Sequence, residues 1–142
     1  MKRFKAYKRQ FVMERVLEPQ VNEVLNAAII NSLLMVASAH IWHFQESSFA
    51  AHEAWGDFYE KLDGLVDDLA ECAIGEGLMF EFSEEDTFNL YPLEAANEVM
   101  ASFQDDLETL NESLASTPSV QNVLQDILSL CAKTAYRLEQ QS

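Results

Sequence analysis

Six side chains between positions 40 and 71 are of the types that bind transition metals: His40, His43, His52, Asp63, Asp67 and Glu71. Neutral imidazole and carboxylate together suit iron or zinc. Asp63, Asp67 and Glu71 follow His52 by 11, 15 and 19 residues. At about 100° per residue they lie within roughly 20°, 60° and 100° of the histidine's direction, on one broad side of a helix. A rise of about 1.5 Å per residue also sets Asp67 and Glu71 roughly 22 to 28 Å along the axis from His52, too far for one metal centre to use both ends. Two copies of the helix lying antiparallel across a two-fold axis would bring the histidine end of each to the carboxylate end of the other. The spacing therefore points to a functional unit of at least two chains.

The elements that must position these residues read as helices. With 4 Gly and 3 Pro in 142 residues and 49% hydrophobic content, turn signals are scarce and the core can be sizeable. The periodicity predicts four long helices, at about 20–44, 49–72, 92–115 and 119–140. Pro19 and Pro92 mark two starts, Gly75 and Gly77 an end, and Thr117 with Pro118 the last break. Gln45 to Ser48 form a tight turn, either serine serving as N-cap of the second helix. The first two helices are thus antiparallel neighbours, and His40 or His43 comes near His52. Between the second and third helices, Ser83 followed by Asp86 resembles a capping box for one short helix. The fold class is all-α: a four-helix bundle of residues 20–142 with one long crossover connection and a short helix in it, preceded by a basic arm, residues 1–19.

Charge separates the arm from the body. Six of the nine basic residues, Lys2, Arg3, Lys5, Lys8, Arg9 and Arg15, lie in the first fifteen positions, while of 24 acidic residues only Glu14 does. The acidic body repels nucleic acid and attracts cations; the arm can touch phosphate, so DNA is a candidate partner. Phe4, Tyr7, Phe11 and Val12 recur at helical spacing, which favours a second fate for the arm, docking on the bundle or on another protein. No secretory h-region precedes Glu14, and Cys72 and Cys131 show neither CxxC spacing nor a base beside them, so a reducing cytoplasm is the expected compartment. The stretch from Glu23 to Glu46 carries no formal charge and is long enough to span a bilayer. Asn26, Asn31, Ser32, Ser38, His40 and His43 interrupt it, and a helix buried both in its bundle and in a subunit interface reads the same way, so no membrane is expected. Nucleophile elbows, phosphate-cradling glycine loops and HExxH pairs are all missing.

The ordinary ferritin centre needs a Glu-x-x-His pair on each of two helices, and residues 37, 40 and 49, three before each histidine, are Ala, His and Phe. The series His40, then His52 twelve residues on, Asp67 fifteen further and Glu71 four further, ending Asp67-Asp68-Leu69-Ala70-Glu71, instead resembles the Dps-like mini-ferritins of the ferritin-like superfamily. The resemblance covers residues 22 to 75. It implies a ferroxidase centre shared by two-fold related subunits, oxidation of Fe(II) by peroxide or oxygen, zinc as a substitute ion, and iron storage in a hollow shell of twelve chains. His40 or His43, with His52, would come from one chain and Asp67 and Glu71 from its partner. Two departures stand out. The position four after His52, usually acidic in that family, is Gly56, with Asp57 or Asp63 as the candidate substitute; and His40 has the family's spacing while His43, followed by Phe44, has its local context. A second reading is a non-enzymatic acidic bundle acting as an interaction module or DNA mimic, with each histidine a packed residue and the acids a solvated face. Trp42, Trp55 and Tyr59 read as packing groups.

Overall fold

A computed structural model describes residues 17–83 and 89–140. Among them the chain is all-helical: α1 (Pro19–Gln45), α2 (Phe49–Gly75), α3 (Ala96–Glu112) and α4 (Pro118–Glu139) form a four-helix bundle, with a single 3-10 turn, Leu93–Ala95, ahead of α3. The basic arm up to residue 16 lies outside the described residues, as does the short helix expected from Ser83 and Asp86, which falls on 84–88. Leu17 already packs against the core, and α1 begins at Pro19.

The helix ends differ from the expected ones for local reasons. α2 runs three residues past Cys72 before it closes in a Schellman arrangement. Leu78 N–H donates to Ala73 O at 2.9 Å and Gly77 N–H to Ile74 O at 3.1 Å. The φ of 107° at Gly77 turns the chain, and Leu78 folds back into the core at 3% exposure. α3 starts late because Ala95 N–H bonds back only three residues, to Pro92 O, before the helix settles to its wider repeat. It stops early, and there the Ser113 hydroxyl donates to the Leu110 carbonyl at 2.7 Å.

Topology follows from how the long connection is held. The segment leaving α2 has no strand beside it among the described residues, and its backbone groups take side-chain partners. α1 supplies them. Asn22 accepts from Met79 N–H at 2.8 Å and donates to Met79 O at 3.3 Å; Asn26, one turn on, does the same with Glu81 at 2.9 Å in both directions. Two residues of extended chain advance about 6.6 Å and four of helix about 6 Å, so the two amides match alternate residues of the segment. Near the other end of α1, Tyr91 N–H donates to Ser38 Oγ at 3.2 Å, Trp42 Nε1–H donates to Tyr91 O at 2.8 Å and Tyr91 OH donates to Asn31 Oδ1 at 3.3 Å. The connection therefore travels the length of α1, and α3 starts at the end where α1 meets α2. α3 runs parallel to α2, and α4 returns antiparallel to both, tied to α2 by Ser119 with Glu76 at 3.3 Å and by Arg137 with Asp57 at 2.7 Å.

α1 packs chiefly on α2, α2 also on α4, and α3 on α4, whereas α1 and α3 meet over few residues and leave a groove of about 620 Å³ between them. Buried Leu25, Ile29, Leu62, Phe103, Leu107 and Leu124 fill the centre of the bundle. Trp42 and Trp55 close its upper end edge to face, ring centroids 4.8 Å apart, as packing groups. α1 is also apolar where it faces outward: Leu33, Ala37, Ile41 and Phe44 form an exposed stripe at helical spacing. Among the described residues it is the one helix long and apolar enough to cross a membrane.

Replacing Gly77 by Ala puts a Cβ on a left-handed backbone and should cost about 1–2 kcal/mol of unfolding free energy, read as a lower urea midpoint with an unchanged slope.

Candidate metal centre

The histidines meet at the α1–α2 turn. Ser48, of the two serines, is the N-cap: its Oγ accepts Ala51 N–H at 3.0 Å, which starts α2 three residues after α1 has stopped. At Glu46 the backbone becomes extended (ψ 134°), so the carbonyl of His43 is one of the orphans of a helix C-terminus. His52 caps it, with Nδ1 2.6 Å from His43 O. The reverse contact has the same length, His43 Nδ1 lying 2.6 Å from His52 O. Between these bonds the two imidazoles stack with centroids 3.7 Å apart and planes 19° from parallel. A carbonyl oxygen can only accept, so each Nδ1 carries the proton and each Nε2 keeps its lone pair in the neutral ring. Two half-buried imidazoles are thus held in one tautomer with ligand atoms unspent.

His40 is positioned differently. One turn earlier on α1, it stacks on Tyr59 of α2 with centroids 3.9 Å apart and planes within 12°, and its ring centre stands 6.3 Å from that of His43. His43, not His40, is the ring paired with His52. The carboxylates lie further down α2: Asp63, Asp67 and Glu71 are exposed and make no side-chain hydrogen bond or ion pair among the described residues. Asp57 is turned towards α4, where Arg137 holds it. Among the described residues no three His, Cys, Asp or Glu side chains of one chain converge on a metal position. Two stacked imidazoles thus stand at one end of α2 and three exposed carboxylates lie along the rest.

The helical pattern does not show the mutual clasp of His43 and His52; its one sequence signal is Gly56. The ring of His43 rests on the bare backbone there, and a Cβ at 56 would stand 2.9 Å from its Cε1. Neither cysteine joins the site. Cys72 is half-buried, and complete burial of Cys131 pushes its thiol up to about 12.

What these features define is a four-helix bundle whose first hairpin carries an ordered imidazole pair above a row of free carboxylates. Residues 43–138 match a protein family of unknown function, DUF5856, and the chain belongs to that family. The matched span contains His43, His52 and all three carboxylates and begins after His40. No curated protein and no solved structure matches the sequence.

Two measurements check the site. Nitrogen-15 spectra of the imidazoles at neutral pH should show His43 and His52 as Nδ1–H tautomers; Nε2–H signals from either ring would contradict the carbonyl bonds. Because its thiolate forms only near pH 12, Cys131 should resist alkylation in the native protein at pH 8 and react once the chain is unfolded, with Cys72 the faster of the two.

Proposed function

We propose that this protein is a ferritin-like iron handler of the Dps type, in which two chains related by a two-fold axis complete centres that bind and oxidise Fe(II), the ferric product being stored inside a closed shell of copies. The observation that carries this reading is the imidazole pair. Metal-ligating histidines donate their second ring nitrogen to a carbonyl or carboxylate, and His43 and His52 each direct Nδ1 at a carbonyl, which leaves the Nε2 lone pair of each ring for a ligand. Asp67 and Glu71 of a partner chain, with Asp63 nearer the middle of the helix, would supply the oxygen ligands that offset the charge of the ion.

Two further features support it. A bundle with one lengthwise crossover between its second and third helices has the connectivity of ferritin-like folds. The exposed stripe of Leu33, Ala37, Ile41 and Phe44 runs along α1 up to the imidazole pair on an otherwise acidic protein, as a face covered by a second copy would. Burial in such a contact accounts for the apolar character of α1 without a membrane, and the free thiols fit a reducing cytoplasm. A shell of twelve chains, DNA contact through the basic arm and zinc as a substitute ion belong to the same proposal.

One observation favours a different reading. The reciprocal bonds by themselves lock the α1–α2 hairpin, and with a net charge of −15 the bundle could serve as a non-enzymatic acidic interaction module or DNA mimic. Native mass spectrometry and stopped-flow oxidation of Fe(II) separate the two. The iron reading expects an even-numbered assembly and rapid oxidation that falls at least about tenfold in His52→Ala and in Glu71→Ala, with helical content unchanged. A monomer, or equal rates in wild type and both variants, leaves the interaction module.

A further inference from the structure

The groove of about 620 Å³ between α1 and α3 opens onto the core. Its walls are mostly apolar, with Val24, Ala27 and Met35 of α1 across from Val99, Phe103 and Leu110 of α3. Asp106 is the one charged side chain among the described residues that line it, and its carboxylate makes no hydrogen bond or ion pair with another described residue. α3 as a whole carries Glu98, Asp105, Asp106, Glu108 and Glu112 and no Lys or Arg.

The basic arm has the complementary pattern and joins the bundle beside the groove. Leu17 packs against the core and α1 begins at Pro19, five residues before Val24. In the arm, Phe4, Tyr7, Lys8 and Phe11 stand at i, i+3, i+4 and i+7, the spacing with which an amphipathic helix fills an apolar groove. At about 100° per residue these four share a helix face roughly 100° wide, while Lys2 and Arg9 lie some 140° to 160° from Phe4. The one cation at the centre of the arm's apolar face therefore matches the one anion in the lining of the groove. Lengths agree as well. At about 1.5 Å per residue, Phe4 to Phe11 covers roughly 10.5 Å of helix and Val24 to Met35 roughly 16 Å. The five steps from Val12 to Leu17 reach about 16 Å when extended, and packed helices are about 8–10 Å apart, so the chain can turn back along α1.

We propose that the arm, residues 1–16 of the same chain, occupies the α1–α3 groove, with Phe4, Tyr7 and Phe11 covering its apolar walls and Lys8 paired with Asp106. Lys2 and Arg9 stay on the outer face. The exposed stripe of Leu33, Ala37, Ile41 and Phe44 is the other apolar surface of α1, but no formal charge lies between Glu23 and Glu46 to receive Lys8. The groove takes the arm and the stripe remains open to a second copy. This inference does not depend on the metal reading.

Two measurements on the full chain test it. A carbodiimide, which joins an amine to a carboxylate in contact as an amide, should link Lys8 or Lys5 to Asp106 or Asp105, and the linked peptides should come from the monomer band of a denaturing gel. Charge reversal supplies the second. Lys8→Glu and Asp106→Lys should each lower the thermal midpoint by about 2–4 °C, and Lys8→Glu/Asp106→Lys, which restores the pair with its signs exchanged, should return it close to wild type. Lys2→Glu, on the outer face, should leave the midpoint unchanged. Links found only in a dimer band give the groove to the arm of another copy and overturn the proposal. Links that avoid α3, no links at all, or a double variant whose loss is the sum of the two single losses overturn it equally.

Discussion

An extended chain segment that crosses a helical bundle must satisfy its backbone groups without a neighbouring strand, and here α1 meets that demand with side chains. Asn22 and Asn26 clasp Met79 and Glu81, while Ser38 and Trp42 hold the two backbone groups of Tyr91. The clasps on Met79 and Glu81 are exposed and those on Tyr91 half-buried, each hydrogen bond contributing roughly 0.5–1.5 kcal/mol net, and together they direct the path of the connection. From that path follow the parallel run of α2 and α3, the antiparallel return of α4, and the thin contact between α1 and α3. The uncharged polar residues of α1 are therefore the scaffold of the topology rather than blemishes in an apolar helix.

Because α1 spends one flank on α2 and another on the crossover, its remaining stripe faces outward, and that stripe is apolar. Few surfaces of a highly charged protein are so bare of charge. The imidazole pair stands at the upper edge of this stripe and the carboxylates of α2 extend from the same hairpin. Packing, topology and candidate chemistry therefore meet on one side of the molecule. The proposed pairing of two copies would use that side, whereas the groove between α1 and α3 contains no histidine.

The histidine pair depends on an exchange between stability and reach. Glycine in the middle of a helix is a poor choice, by roughly 0.5–1 kcal/mol relative to alanine. At position 56 it permits a ring from one helix to rest on the backbone of the next. Two carbonyls receive a second donor or a cap in return, and two rings are fixed in orientation. Gly77 is used differently, for its left-handed backbone at the end of α2. Gly64 has neither role in a single chain.

Much of this was legible in the residues. Helical periodicity, the prolines that open α1 and α4 and the serine ahead of α2 determined four helices and the antiparallel first hairpin, because these signals act within a few residues and need no tertiary partner. The separation of His52 from Asp67 and Glu71 was likewise set by helix rise alone. Tertiary structure decided which histidine meets His52. His40 and His43 are three residues apart on one face, and only the seating of α1 against Gly56 and Tyr59 distinguishes them. It also decided the work of Asn22, Asn26 and Ser38, whose partners lie 53 to 57 residues away in sequence. Local patterns fix what a segment becomes, but which long-range donor reaches which acceptor depends on how the finished helices pack.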